Sequence, residues 1–145
     1  MNWKTEAVDK LRQYEARKNS LTSIPAEIEQ LKAARRTIRS ATADSTPVHG
    51  GGSGREDALL SSIVKEGELK QSLEQARMWV ASVEASLEIL TAEERLVLER
   101  FYIHSERGAA ERAASDLGVD VKTAYRRKDA ALRRFTIALY GSVES

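Results

Sequence analysis

The chain has no cysteine, only two prolines and few aromatic residues, which make up 6% of its 145 positions. Without thiols it can form neither disulfides nor a thiolate metal site. No apolar run is long enough to span a bilayer, and the N-terminal residues lack the apolar core of a signal peptide. With 31% charged residues, the composition favours long helices over a sheet protein. We therefore expect a soluble, cytoplasmic, all-α protein.

The formal net charge of +1 conceals a separation of charge along the chain. Residues 1–40 carry nine Lys or Arg against five Asp or Glu, residues 56–99 carry four against ten, and residues 107–145 carry eight against five. The acidic middle complements the basic N-terminal part, so we expect these two segments to pair within the fold. The basic C-terminal segment is then left for a polyanion, although part of its charge serves solubility alone.

The first 39 residues carry two apolar stripes at helical spacing. The first stripe consists of Trp3, Ala7, Leu11, Tyr14 and Leu21, and the second of Ile24, Ile28, Leu31 and Ile38. The turn-rich residues 19–23 separate them, and Pro25 suits the first turn of a second helix. The pattern predicts an antiparallel helical hairpin over residues 1–39. Trp3 and Tyr14 would also suit stacking on bases, but aromatic residues at this spacing belong more often to a core.

Residues 40–56 are rich in Ser, Thr and Gly and are predicted to form a flexible linker. The glycine-rich run 50–54 suggests a phosphate-binding loop, but no Lys-Ser/Thr pair follows it and no strand precedes it. His49 lies in this segment, and His104 is the only other histidine. We therefore expect no metal site and no cofactor.

A long helix is predicted over residues 57–89, where apolar residues recur in alternating steps of four and three. The series is Leu69, Leu73, Ala76, Val80, Val83, Leu87 and Leu90. This heptad seam is typical of a coiled coil, whereas Leu59, Leu60, Ile63 and Val64 lie out of phase. The partner of the seam is either the N-terminal hairpin or the same helix of a second copy in a homodimer. Charge complementarity favours the hairpin, which would complete a three-helix coiled coil.

Residues 109–135 have the layout of a helix–turn–helix, in which the second helix enters the DNA major groove. Gly118 suits the left-handed conformation that ends a helix, and Asp120 can accept hydrogen bonds from the free amides of the next turn. The small pair Ala113 and Ala114 would allow close packing, with Val119 filling the angle between the helices. A plain helical hairpin with a solvated basic face is the alternative interpretation.

The second helix of this motif has two distinct faces by spacing. Its expected buried residues are Ala124, Ala131, Leu132 and Phe135. Its expected exposed residues are Lys122, Thr123, Tyr125, Arg126 and Asp129. An exposed face of this kind is what contacts with base edges and phosphates require.

The residues before the motif, LTAEERLVLERFYI at 90–103, place Thr91 and Glu94 at the spacing of a capping box. With the LGV turn at 117–119 and TAYRRKDAALRRF at 123–135, this segment resembles sigma factor region 4. It is also similar to the helix–turn–helix of phage late-transcription regulators of the ArpU/RinA-like type. The resemblance covers about a third of the chain. Ala110 and Arg127 depart from the family pattern, which has larger apolar residues there, so Arg127 is expected to extend outward.

The resemblance implies a sequence-specific regulator of transcription that binds double-stranded DNA in residues 90–140, followed by a tail at 141–145. It implies a phage or prophage protein acting in a bacterial host, with RNA polymerase as a partner. The residues expected to contact DNA are Lys122, Thr123, Tyr125, Arg126, Arg127, Arg133 and Arg134. Lys122 and Arg126 would contact bases, and Arg133 and Arg134 phosphates or solvent. Because no counterpart of the promoter-opening region is present, we expect an activator.

Two alternatives from other classes remain. A small-terminase-like protein of phage DNA packaging also combines a helix–turn–helix with coiled coils, and a large ring in solution would favour it. A coiled-coil adaptor would have no affinity for DNA. Enzymatic activity is not expected, because carboxylate pairs such as Glu93 and Glu94 arise by default in a charged helix without a nucleophile beside them.

Overall fold

A computed structural model describes residues 2–44 and 52–141 of the chain. Its five α-helices are α1 (Trp3–Asp44), α2 (Gly52–Ile89), α3 (Ala92–Leu98), α4 (Ala109–Leu117) and α5 (Val121–Tyr140). A π-helical turn, Glu99–Ile103, directly follows α3. Within the described ranges no residue lies in a strand, which confirms the all-α prediction. No helix in these ranges is long and apolar enough to cross a membrane.

The predicted hairpin over residues 1–39 is wrong, because α1 continues through residues 19–23 and through Pro25. A proline inside a helix costs roughly 3 kcal/mol, since it removes one backbone hydrogen bond and crowds the preceding turn. The packing of α1 offsets this cost, because its stripe recurs every seven residues on both sides of Pro25, at Ala7, Tyr14, Leu21 and Ile28. Tertiary packing thus prevails over the local preference for a turn. One long helix, α1, replaces the two helices of the predicted hairpin.

Both ends of the predicted linker, residues 40–56, are helical. α1 extends to Asp44, and α2 begins at Gly52. Adding a residue to an existing helix fixes fewer backbone angles than starting one, so long helices extend into sequence of poor propensity. The rest of the predicted linker, including His49, lies outside the described residues.

The chain divides into two compact units, residues 18–77 and residues 1–17 with 78–145. The first, which we call the coil unit, contains one segment of α1 and one of α2 running in opposite directions. Ile28 on α1 and Leu73 on α2 are buried in it. Leu60, Ile63 and Val64 are exposed by 61%, 49% and 59%, which confirms their placement outside the seam. The same prediction is wrong for Leu59, which is half-buried and lies two heptads before Leu73, in phase with it.

An ion pair interrupts the apolar seam of the coil unit. Arg35 lies seven residues after Ile28, and Glu66 lies seven residues before Leu73, so both continue a heptad stripe. Arg35 Nη2 is 2.5 Å from Glu66 Oε1, and the two side chains are only 12% and 14% exposed. Lys70 Nζ lies 2.8 Å from Glu66 Oε2. We call Arg35, Glu66 and Lys70 the polar layer. It was not predicted, because only apolar residues were assigned to the seam.

The polar layer makes the stability of the coil unit depend on pH. Hydrogen bonds from Lys70 and Arg35 lower the pKa of Glu66 from its ordinary value of 4.5 to about 2. Because the folded-state pKa is the lower one, the carboxylate stabilises the fold above about pH 4.5, and this contribution is lost as the pH falls towards about 2. We therefore expect Glu66→Gln to lower the melting temperature at neutral pH. The difference in melting temperature from the parent should shrink as the pH falls from about 4.5 towards about 2.

Melting curves of the parent and the variant, recorded by circular dichroism at several pH values, measure this difference. Glu74→Gln is the matched control, since its carboxylate is exposed and 3.8 Å from Arg77. Exposed pairs of this kind contribute little to stability. A melting difference for Glu66→Gln that stayed constant from neutral pH to acid would contradict the prediction.

The second unit, which we call the terminal unit, combines the first part of α1, the end of α2 and all of α3, α4 and α5. The seam of α2 continues here, with Val80, Val83 and Leu90 buried and Leu87 half-buried. Tyr14 of α1 donates a hydrogen bond of 2.7 Å to Glu84 of α2. The helix–turn–helix residues thus belong to one compact unit with the first residues of the chain.

Candidate nucleic-acid interface

α3 begins with the predicted capping box. The Thr91 hydroxyl accepts a hydrogen bond of 3.2 Å from the Glu94 backbone amide, and the Glu94 carboxylate accepts one of 2.9 Å from the Thr91 amide. These reciprocal bonds satisfy two amides that have no partner within the helix. The start of α3 is therefore determined by local sequence, as expected.

The turn between α4 and α5 follows the helix–turn–helix prediction. Gly118 ends α4 with φ of 68°, in the left-handed region that favours glycine. Ala113, Ala114 and Ala124 form a buried cluster, against which Phe101 and Val119 pack. Because alanine side chains are short, α4 and α5 approach closely at this point. The turn therefore holds the first residues of α5 at the surface of the terminal unit.

Asp120 is the N-cap of α5, as predicted. Its Oδ1 accepts a hydrogen bond of 2.8 Å from the Thr123 backbone amide. Hydrogen bonds from the Thr123 side chain and backbone, with a smaller contribution from the charge of Arg126, lower the pKa of Asp120. Thr123 is half-buried and engaged in this cap. The first turn of α5 is thus held rigidly, which suits a helix that presents side chains to a ligand.

The division of α5 into two faces is confirmed by burial. Ala124, Ala131, Leu132 and Phe135 are at most 1% exposed. Lys122, Tyr125, Arg126 and Asp129 are exposed, as expected, whereas Thr123, which was also predicted to be exposed, is half-buried because it takes part in the helix cap. The rings of Tyr125 and Phe101 pack in a T-shaped arrangement, at a centroid distance of 5.4 Å. The tyrosine is therefore anchored from below and leaves its outer side to solvent.

Three cations of α5 lie along one exposed face. Lys122, Arg126 and Arg133 are separated by four and seven residues, which places them along one side of a helix. Among the described residues, no carboxylate oxygen lies within 4.0 Å of their nitrogens. At 1.5 Å per residue the three span roughly 16 Å along the helix. We call Lys122, Arg126 and Arg133 the basic face.

Two other arginines of α5 point to a different side. Arg127 Nη1 lies 3.3 Å from Glu93 Oε1, and Arg134 forms an ion pair with Glu94. Both acidic partners belong to α3, so these arginines connect α5 to α3. The expectation that Arg127 extends outward is met, since its side chain is 43% exposed. Its contact with Glu93, like that of Arg134 with Glu94, separates both residues from the basic face. A partner 34 or 40 residues away is not visible in a local pattern.

Lys128 is a residue that the sequence analysis did not single out. Its ammonium lies 5.6 Å from the ring centroids of both Phe101 and Tyr125 and 3.0 Å from Asp129 Oδ1. Burial by itself would lower the pKa of Lys128, but hydrogen bonds with Asp129 and Tyr102 raise it overall. The side chain is therefore a charged support beneath the exposed face. In the sequence, only the spacing of Lys128 three residues after the aromatic Tyr125 hints at this contact.

The π-helical turn is held by the first part of α1 within the terminal unit. The Arg12 guanidinium lies 5.8 Å from the Tyr102 ring centroid. His104, just after the turn, has Nε2 at 3.1 Å from Glu15 Oε1 and Nδ1 at 3.0 Å from Glu99 Oε1. Because the carboxylates lie at opposite ring nitrogens, they do not converge on a common metal position. These contacts serve to position the turn that carries Phe101.

The arrangement as a whole is an exposed basic face on a capped helix, supported by aromatic rings and by ion pairs to α3. It offers hydrogen-bond donors to an extended anion. Comparison of the chain with models of protein families, with curated proteins and with solved structures gave no match.

Proposed function

We propose that the chain is a sequence-specific DNA-binding regulator of transcription, in which α5 enters the major groove of a duplex. The observation that carries the proposal is the basic face, three cations in line on a helix that begins at a tight turn. The major groove of B-DNA is about 12 Å wide and admits one α-helix. A face roughly 16 Å long lets the start of α5 contact bases while its later residues reach the phosphates.

The roles within the basic face follow from position along α5. Lys122 and Arg126 lie in the first two turns, the part of a recognition helix that reaches base edges. An arginine there can donate two hydrogen bonds to O6 and N7 of guanine. Arg133 lies about two turns later and is assigned to a phosphate. Thr123 serves the helix cap, and Arg127 and Arg134 stabilise the packing of α5 on α3.

The resemblance to phage late-transcription regulators supports the biological context of the proposal. In that context the protein activates late genes of a phage or prophage, in contact with the host RNA polymerase. The coil unit then supplies a spacer or a second contact surface. The competing class is a coiled-coil adaptor, which would leave the three cations of the basic face without a polyanion to bind.

The proposal predicts different effects for two arginines of the basic face. Arg126→Ala is expected to cost about 1–3 kcal/mol on a selected duplex and to relax the sequence preference, because a base contact is lost. Arg133→Ala is expected to weaken binding to all duplexes alike and to reduce the salt slope by about one, because a phosphate contact is lost. Fluorescence anisotropy across a salt series, on a selected and a scrambled duplex, measures both effects.

Arg36→Ala is the charge-matched control, since this arginine is exposed in the coil unit and lies on no part of the basic face. Its affinity for both duplexes is expected to equal that of the parent. A parent chain without salt-sensitive binding to any duplex would reject the proposal in favour of the adaptor. Equal losses on both duplexes for Arg126→Ala would place base recognition elsewhere on the chain.

A further inference from the structure

Asp129 is an anion on the otherwise cationic side of α5. It lies three residues after Arg126 and four before Arg133, so it belongs to the same side of the helix. Its side chain is 52% exposed. On a surface that binds phosphates, a carboxylate at this position weakens attraction to every duplex. It therefore requires a compensating contact if the surface binds DNA.

The carboxylate of Asp129 is held from one side and open on the other. Oδ1 lies 3.0 Å from the ammonium of Lys128, whose own side chain rests against Phe101 and Tyr125. Among the described residues no second ion pair involves this carboxylate, which is more than half exposed. An ionised carboxylate only accepts hydrogen bonds. Asp129 thus presents one oriented acceptor beside the donors of the basic face.

The edges of bases in the major groove offer few donors to such an acceptor. These are the amino groups of cytosine and adenine, and a carboxylate pairs with the N4 amino group of cytosine. Adenine presents an acceptor, N7, beside its amino group and suits an amide side chain instead. Residues three apart on a helix have Cβ atoms about 5–6 Å apart, and successive bases are about 3.4 Å apart along the duplex. Arg126 and Asp129 can therefore contact base pairs that are adjacent or separated by one base pair.

We propose that Asp129 is a specificity-determining residue that accepts a hydrogen bond from the N4 amino group of a cytosine in the major groove. The inference rests on the proposed function and deepens it, since it names a base that the DNA target must contain. The target is a duplex with a cytosine one or two base pairs from the guanine that Arg126 contacts. The same carboxylate repels phosphates, so it reduces binding to sequences that lack this cytosine.

The test is a selection from random duplexes with the parent, Asp129→Asn and Asp129→Ala, followed by anisotropy on the selected duplexes. The parent is expected to prefer cytosine at one position by about fivefold or more. Asp129→Asn is expected to shift that position towards adenine, because an amide pairs with N6 and N7 of adenine. Asp129→Ala is expected to lose the preference there. Both variants should bind a random duplex more tightly than the parent does.

Asp57→Asn removes the same charge from an exposed position of the coil unit and serves as the control; its base preference should equal that of the parent. An unchanged preference at every position in both Asp129 variants would overturn the assignment of Asp129 while leaving duplex binding, and the proposed function, intact. A parent chain that binds no duplex would overturn both.

Discussion

Leu73→Asp is expected to unfold the coil unit. Leu73 is 8% exposed and lies at the centre of the stripe that α2 presents to α1. Truncating a buried leucine costs about 2–5 kcal/mol by itself, and the carboxylate adds the penalty of a buried charge without a partner. For a chain of this size the loss corresponds to a fall in melting temperature of roughly 10 °C or more. Thermal melts followed by circular dichroism measure it.

Leu60→Asp is the matched control, because Leu60 lies on the same helix and is 61% exposed. The substitution introduces the same charge into α2 without entering the seam, so the melting temperature should change little. Leu87→Asp is expected to have an intermediate effect, since Leu87 is half-buried. If both Leu73→Asp and Leu60→Asp had the melting temperature of the parent, the assignment of Leu73 to a buried seam would be wrong.

Leu11→Asp is expected to disrupt the terminal unit and with it the duplex binding proposed for α5. Leu11 is fully buried although it lies more than a hundred positions before Lys122. It belongs to the segment of α1 that also carries Arg12 and Glu15, whose side chains contact Tyr102 and His104. Burying a charge there costs several kcal/mol. The expected result is a loss of helical signal and of cooperative melting from the terminal unit, together with a loss of the anisotropy change on any duplex.

Ala16→Asp introduces the same residue at an exposed position of this helix and is expected to leave both measurements close to those of the parent. The comparison separates two models of the chain. In one, the helix–turn–helix folds independently of the first residues, and Leu11→Asp retains duplex binding. In the other, which the compact terminal unit favours, binding and the fold of α1 are lost together.

The features that local sequence determines were predicted correctly. The capping box of Thr91 and Glu94, the left-handed Gly118 and the N-cap Asp120 each depend on residues within a few positions of one another. The buried face of α5 follows from helical periodicity alone, since one face of a helix repeats every 3.6 residues. Such features need no knowledge of the remaining chain.

The features that the sequence did not reveal depend on distant partners. Turn-forming residues at 19–23 and Pro25 favour a break locally, and only a seam on a second long helix keeps α1 continuous. Local sequence predicts that Glu66 is solvated, because its partner Arg35 lies on the other helix. The ion pair of Arg127 with Glu93 cannot be foreseen from local sequence, because its partner lies 34 residues away. In each case the deciding partner lies far away in sequence.

The polar layer also selects the alignment of the two helices in the coil unit. If α2 slid by one heptad along α1, Glu66 would face Ile28 in one direction, and Arg35 would face Leu73 in the other. Either slip leaves a charge against an apolar partner, whereas an all-apolar seam tolerates such slips. A second copy that paired its α2 in parallel would bring Glu66 against Glu66. The polar layer therefore favours one register of the two helical segments in the coil unit and disfavours a parallel pairing of two copies of α2.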